Sequence, residues 1–304
     1  MELIPIAMVK TIPNCLGMFS TVLIFGVIAL TIGCSDTDST PQVEQACNGL
    51  VELCDRPLDQ ALFVGTHNAM SSSEDGWNFP NQEYAFSRQL QDGVRALNFD
   101  TYWWNEEAYL CHAYCDLGNM PLVEGLDQVA QFLAQNPDEV LLITIQSALE
   151  AEATLDAFVQ TNLREQMYQH EVGSDWPTLR TLIEENRRLV VFTSDGGGNS
   201  GYMEQWVHWI DNPYSANSIE DFSCVEDRGN PETASLFNVN HFITNPVADI
   251  EDALLANQYD ILWEHLERCQ QETGRSPNQV LVDFYSQGDV LQVARDWNQL
   301  QKIE

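Results

Sequence analysis

Two histidines of this chain, His67 and His112, each sit directly after a short apolar run. A pair of imidazoles suits cleavage of a phosphodiester: one takes a proton from the attacking oxygen, the other supplies one to the leaving oxygen. Each such transfer typically contributes about 10²–10⁴-fold. His170, His208 and His265 lack that setting and read as core or surface residues. Other polar groups stand where apolar runs finish. The run 61–65 leads to Thr66-His67-Asn68, 94–99 to Asp100-Thr101-Tyr102, and 140–145 to Gln146. The run 189–192 ends at Thr193-Ser194 before Asp195-Gly196-Gly197-Gly198, 235–239 leads into Asn240-His241-Phe242, and 280–282 into Asp283-Phe284-Tyr285. Core packing explains such a succession poorly, because a buried polar group needs a partner.

The elements that must position these residues follow from periodicity. Near-continuous aliphatic runs are what strands buried on both faces require, as in a parallel sheet. Between them, residues 122–135 carry Val123, Leu126, Val129, Ala130 and Leu133 at helical spacing, and 151–169, 178–186, 247–272 and 288–300 look similar. Strand–helix alternation without a composition break predicts one α/β domain, a distorted (β/α)8 TIM-like barrel over 46–304. Six clear strands and two weaker ones, around Leu110 and over 203–209, would close it. A doubly wound open sheet is the alternative, but no glycine-rich phosphate loop follows the first strand. In a parallel barrel the carboxyl ends of the strands gather the catalytic groups.

Composition bounds the function. The chain has 304 residues, 44% hydrophobic, with 13 basic against 46 acidic side chains and a formal charge of −33. Such a surface repels phosphate backbones and anionic headgroups at long range, which argues against nucleic acid as a partner. A few focused cations in a cleft still admit an anionic substrate.

Residues 1–34 read as a signal peptide, with Lys10 ahead of an apolar run over 18–33 that is short for a membrane span. Leu30-Thr31-Ile32-Gly33-Cys34 resembles the lipobox of bacterial lipoproteins, although Thr31 stands where an aliphatic residue is usual. That reading predicts a cell-envelope lipoprotein held to the membrane by lipid on Cys34. Simple secretion and a transmembrane anchor are the alternatives. Residues 35–45 form a polar tether. Six further cysteines in an exported chain argue for disulfides; proximity favours Cys47 with Cys54 and Cys111 with Cys115, leaving Cys224 with Cys269. Zinc at Cys111-His112-Ala113-Tyr114-Cys115 competes, but no second ligand pair of matching form is present.

Longer stretches carry a family resemblance. Phe63-Val64-Gly65-Thr66-His67-Asn68-Ala69-Met70-Ser71, Gly93-Val94-Arg95-Ala96-Leu97-Asn98-Phe99-Asp100-Thr101-Tyr102, Leu110-Cys111-His112 and Val282-Asp283-Phe284-Tyr285 resemble the X domain of phosphatidylinositol-specific phospholipase C and its plant- and fungal-type phosphodiesterase relatives. The resemblance runs in order from about residue 46 to 300. It implies His67 as general base toward an inositol hydroxyl, His112 as general acid toward the leaving diacylglycerol oxygen, and a cyclic inositol phosphate as product. Asp283 resembles the carboxylate that holds the first histidine, with a helix N-cap before Gly288 as the alternative.

Calcium-dependent relatives place ligands at the positions of Asn68, Asn98, Asp100 and Gln146, whereas metal-independent ones carry an arginine at the position of Asp100. This chain departs from both, since only Asp100 of the four is a carboxylate and calcium prefers six to eight oxygens. The expectation is weak calcium or none. Arg95, Ser194, Tyr202, Asn240 and Tyr285 are the candidate substrate-binding residues, with an ion-pair role equally open for Arg95. Trp103, Trp104, Trp206 and Trp209 read as an aromatic membrane fringe or as packing. The leading expectation is a monomeric phosphoric diester hydrolase or lyase acting on a phospholipid. A glycerophosphodiesterase, a sphingomyelinase-D-like enzyme and a non-catalytic lipid- or glycan-binding lipoprotein share the same barrel.

Overall fold

The computed structural model describes residues 45–198 and 200–300; the leader with Cys34, and the tether up to residue 44, lie outside the described residues. The chain runs β1 (Phe63–Thr66), α1 (Phe86–Asp92), β2 (Ala96–Trp104), β3 (Glu107–Cys111), β4 (Asn119–Pro121), α2 (Leu122–Gln135), β5 (Leu141–Ser147) and α3 (Ala151–Gln160). It continues α4 (Leu179–Glu184), β6 (Leu189–Thr193), β7 (Tyr202–Glu204), α5 (Gln205–His208), β8 (Trp209–Asp211) and β9 (Arg228–Gly229). Last come β10 (Leu236–Asn240), α6 (Ile250–Ala256), α7 (Tyr259–Thr273), β11 (Gln279–Val282) and α8 (Val290–Leu300). One curled sheet has the order β7-β6-β5-β2-β1-β11-β10-β8-β9, parallel except at β9.

The strand sequences explain the curl. Both faces are buried, so alternate residues go to two different cores. Val64, Leu97, Ile143, Val191, Val239 and Val280 pack outward against Leu126, Val129, Leu262, Leu266, Val293 and Trp297 of the surrounding helices. Phe63, Ala96, Leu142, Val190 and Leu236 pack inward and fill the floor of the barrel. Further along, the inward positions change character. The register sets Ala96 beside Leu142, then Asn98 beside Thr144, then Asp100 beside Gln146. A strand period of two therefore turns an apolar floor into a polar upper layer within four residues.

Six clear strands of the sequence reading are β1, β2, β5, β6, β10 and β11. The two weaker ones come out differently. Leu110 lies in β3, which pairs antiparallel with the far end of β2 as a hairpin and is no barrel stave. The segment read as one strand over 203–209 instead supplies the remaining two staves, β7 and β8, with the four-residue α5 between them. A parallel neighbour needs a crossover of a dozen residues or more. Four cannot span it, so no ladder joins β7 to β8 among the described residues and the barrel stays open at that seam. The predicted helix over 151–169 stops at Gln160, where Asn162 turns to a φ of 59°. The one over 247–272 divides into α6 and α7 around Asn257, whose amide donates to the carbonyls of Asp283 at 3.0 Å and Phe284 at 3.3 Å.

Among the described residues three disulfides close with the expected pairings, Cys47–Cys54, Cys111–Cys115 and Cys224–Cys269. The bridge at Cys111–Cys115 removes those thiols from the zinc reading. No helix among the described residues is long and apolar enough to cross a membrane.

Candidate active site

The polar upper layer opens into a cleft of about 640 Å³ at the carboxyl ends of the strands, lined by His67, Asn98, Asp100, His112, Thr144, Gln146 and Asn240 among others. Gly65 helps to make room below it. A Cβ there would come within 2.7 Å of the Gln279 amide, so the inward position of β1 must stay bare for Gln279 to reach the cleft.

His67 is held on every side. Its Nδ1 lies 3.0 Å from Oδ1 of the buried Asp283, and the ring stacks on Phe242 with centroids 4.1 Å apart. Its backbone amide donates to the Val282 carbonyl at 2.9 Å. Gln82 Nε2 donates to the carbonyls of both His67 and Val282. Asn81 Nδ2 donates to the same Asp283 oxygen at 2.9 Å. A carboxylate accepting from Nδ1–H fixes the tautomer and leaves the Nε2 lone pair facing the cleft.

His112 arrives by another route, at the end of the β2–β3 hairpin. The two rings lie edge to face with centroids 6.5 Å apart. Between them stands Asn68, whose Nδ2 lies 3.1 Å from His67 Nε2 and 3.3 Å from His112 Nε2. An amide nitrogen carries two hydrogens, so it can donate to both lone pairs at once, and this network suits two neutral imidazoles. Burial, and then the neighbouring His67, hold the His112 pKa below the usual imidazole range. An anion entering between the rings would bring negative charge and favour protonation of His112. The arrangement offers an oriented base facing a second imidazole across a polar cleft.

A family model described as PI-PLC X 1 matches residues 53–298. The chain belongs to the PI-PLC X family. A PI-PLC X domain-containing protein of Arabidopsis thaliana is 31% identical over 264 residues, covering 77% of this chain and 60% of that protein. PI-PLC X domain-containing protein 1 of Arthroderma benhamiae is 30% identical over 275 residues, 84% of this chain and 90% of its own length. Among solved structures, phosphatidylinositol-specific phospholipase C from Listeria monocytogenes superposes with a TM-score of 0.57 at 15% identity, over 86% of this chain and 99% of that one. This likeness is one of fold, and it includes the distorted barrel.

The PI-PLC X fold brings together most of the residues expected from the sequence and leaves out three. Ser194, half-buried, and Asn240, buried, line the cleft. Arg95 does not. It precedes β2 and therefore sits at the amino-terminal end of the barrel, lining a separate pocket with Leu62, Asp92 and Asn298. There it pairs with Glu139 at 2.6 Å and lies over the Phe132 ring, the structural role left open for it. Tyr202 is fully buried in the outer core. Tyr285 turns away from Asp283 and donates to Asp92 Oδ2 at 2.7 Å. The tryptophans divide as well: Trp206 and the buried Trp209 line the cleft, and Trp103 is exposed on the hairpin with its indole bonded to Glu150.

The four positions aligned with calcium ligands do not make a good calcium site. Asp100 is their single carboxylate, and burial pushes it up to about 6. The Asn98 oxygen already accepts from the Asn68 backbone amide at 3.3 Å, and Gln146 is exposed. Of these four residues, Asn68 alone has a buried oxygen without a partner, its Oδ1. One carboxylate and one orphaned amide oxygen fall well short of the several charged ligands of a tight calcium site.

Neither Asn81, Phe242 nor Arg228 stands out in the sequence. Asn81 and Phe242 sit in loops with no period to mark them. Arg228 is the one lysine or arginine among the described residues that line the cleft. It pairs with buried Asp211 and lies between two aromatic rings, 4.6 Å from Trp206 and 4.3 Å from Tyr214. The signal that could have found it is Asp211 at the end of β8, hidden because that stave was merged with β7.

Proposed function

We propose that this protein is a phosphoric diester hydrolase or lyase that cleaves a phospholipid headgroup of the phosphatidylinositol type through a cyclic phosphate. The observation that carries the reading is the Asp283–His67–Asn68–His112 chain of contacts, an oriented base and a second imidazole sharing one amide. His67 Nε2 takes the proton of the inositol hydroxyl beside the phosphate, that oxygen attacks phosphorus, and His112 gives a proton to the departing diacylglycerol oxygen. A binding scaffold would have little need of an imidazole held by Asp283, Asn81 and Phe242 together. The test is incubation with phosphatidylinositol vesicles and phosphorus NMR of the products. A cyclic inositol phosphate supports the reading; no cleavage of any diester in a panel of phospholipids and glycerophosphodiesters sinks it.

The donor set supports catalysis without calcium, so EGTA is expected to leave the rate unchanged within about twofold. A loss that millimolar calcium restores would assign Asp100 and Asn68 to a metal instead. Arg228 gives the cleft its cation for an anionic headgroup. A charge-assisted hydrogen bond is worth about 1.5–3 kcal/mol, so Arg228→Ala should raise KM by about 10–100-fold and change kcat much less. An unchanged KM would remove Arg228 from the substrate's reach.

Three disulfides fit an oxidising, extracytoplasmic compartment. We place the domain outside the cytoplasm, tethered by lipid on Cys34 where the lipobox-like sequence is processed.

A further inference from the structure

The two imidazoles of the cleft are held by different means. His67 has Asp283 on its Nδ1, Phe242 on its face and Gln82 on its carbonyl. Among the described residues, Asn68 is the single side chain hydrogen-bonded to the His112 ring. Among the described residues no carboxylate is hydrogen-bonded to the His112 Nδ1, and the residue is only partly buried. Its orientation must therefore come from the backbone that bears it.

That backbone is a small covalent ring. Cys111 ends β3, Cys115 begins a single 3-10 turn, and their disulfide encloses His112, Ala113 and Tyr114. Within it, Ala113 adopts a φ of 59°, the left-handed region that a non-glycine residue enters at a cost of about 1–2 kcal/mol. Such a conformation persists where the surroundings over-determine it. The Tyr114 amide folds back on the His112 carbonyl at 2.6 Å. The outer end of the ring is pinned too: Leu117 accepts from the Asn78 backbone amide at 2.8 Å and from its side chain at 3.0 Å. Gly118 lies so close to Trp77 that a Cβ would come within 2.3 Å of the indole.

We propose that the Cys111–Cys115 disulfide is the positioning device for His112, doing covalently what Asp283 does for His67 by hydrogen bonding. Its catalytic consequence rests on the diesterase reading above; its structural content does not. Without the bridge Ala113 can leave the left-handed region, and His112 swings away from Asn68 and the opposing ring.

The test is the double variant Cys111→Ser/Cys115→Ser beside Cys47→Ser/Cys54→Ser, which opens a bridge at the other end of the barrel. Misplacing a catalytic group by about 1 Å can cost 10²-fold. The first variant is expected to lose kcat by about 10–100-fold with KM nearly unchanged. The second is expected to keep kcat. Histidine NMR titration reads the same event without any activity: the His112 pKa should rise in the first variant, because the imidazole leaves its buried place beside His67. If the wild-type protein cleaves no diester, the enzyme reading fails and the titration alone decides the positioning role. A first variant with wild-type kcat, or in an inactive protein with wild-type His112 titration, overturns the proposal.

Should that variant not fold, the native protein is reduced by a dithiol and alkylated. The dithiol passes two electrons and two protons to the bridge and itself becomes a disulfide, leaving two thiols for capping. Cys115 touches solvent, whereas Cys47, Cys54 and Cys269 do not. Activity, or the His112 titration, should change in proportion to Cys115 alkylation. Proportionality to Cys54 or Cys269 instead would overturn the role.

Discussion

Replacing His67 by alanine is expected to lower kcat on phosphatidylinositol by about 10²–10⁴-fold, the range that one positioned proton transfer contributes. The variant should still fold. The ring is partly exposed, and Asp283 keeps the Asn81 amide at 2.9 Å once its imidazole partner is gone. Loss of activity would thus report chemistry rather than collapse, which far-UV circular dichroism and an unfolding free energy unchanged within about 1 kcal/mol would check. Because the cleft is open, added imidazole should restore part of the rate in the alanine variant. It should not restore a variant in which Asp283 is also replaced by alanine, because free imidazole would then lack its orienting carboxylate. Wild-type turnover by His67→Ala would remove the base and with it the two-imidazole mechanism.

The second large effect concerns stability. Below the cleft, His170 stacks on Trp176 with centroids 3.6 Å apart and meets His208 edge to face at 5.6 Å. On the other side, His241 and His265 place their Nδ1 atoms 2.8 Å apart in a buried site beside Phe222. Burial is the first cause in all four: it pushes His170 and His241 down to about 4, and holds His208 and His265 below the ordinary range. A histidine whose folded pKa lies below its unfolded value gives stability that is complete above about pH 6.5. That stability drains away as pH falls toward the folded pKa, because the unfolded chain binds the proton first.

For His170 the loss at pH 5 is about 2 kcal/mol. Asp100, pushed up to about 6 by its own burial, works in the opposite direction over the same range. The clean comparison is therefore His170→Phe, which keeps the stack on Trp176 and cannot titrate. Urea denaturation at pH 7.5 and pH 5 should show a pH dependence smaller by about 2 kcal/mol in the variant than in the wild type. Equal pH dependence in the two would mean that His170 is already protonated, or solvated, in the folded protein.

Much of this was legible before folding. Residues 122–135 are helical in sequence and α2 spans Leu122–Gln135. The six aliphatic runs became six adjacent staves, and their last inward residues, Asp100, Gln146 and Asn240, line the cleft. The pairs Cys47–Cys54 and Cys111–Cys115 follow from nearness alone, and Cys224–Cys269 from what remained. Arg95 shows where motif position misleads: it belongs to the same sequence stretch as Asp100, but four residues of β2 separate them, and they emerge at opposite ends of the barrel.

Local sequence by itself determined which segments are buried on two faces, because periodicity records burial residue by residue along one element. It also determined that polar groups collect at strand ends, since an aliphatic run stops where the apolar core does. Tertiary structure alone decided that Asn81 grips Asp283, that Phe242 covers His67, and that Arg228 enters the cleft beside Trp206 and Tyr214. These contacts join loops whose sequences have no period, across distances fixed only when β11 pairs with β1 and curls the sheet. The open seam between β7 and β8 has the same origin: a four-residue link is too short for a crossover, and that is a property of the pair of strands rather than of either one.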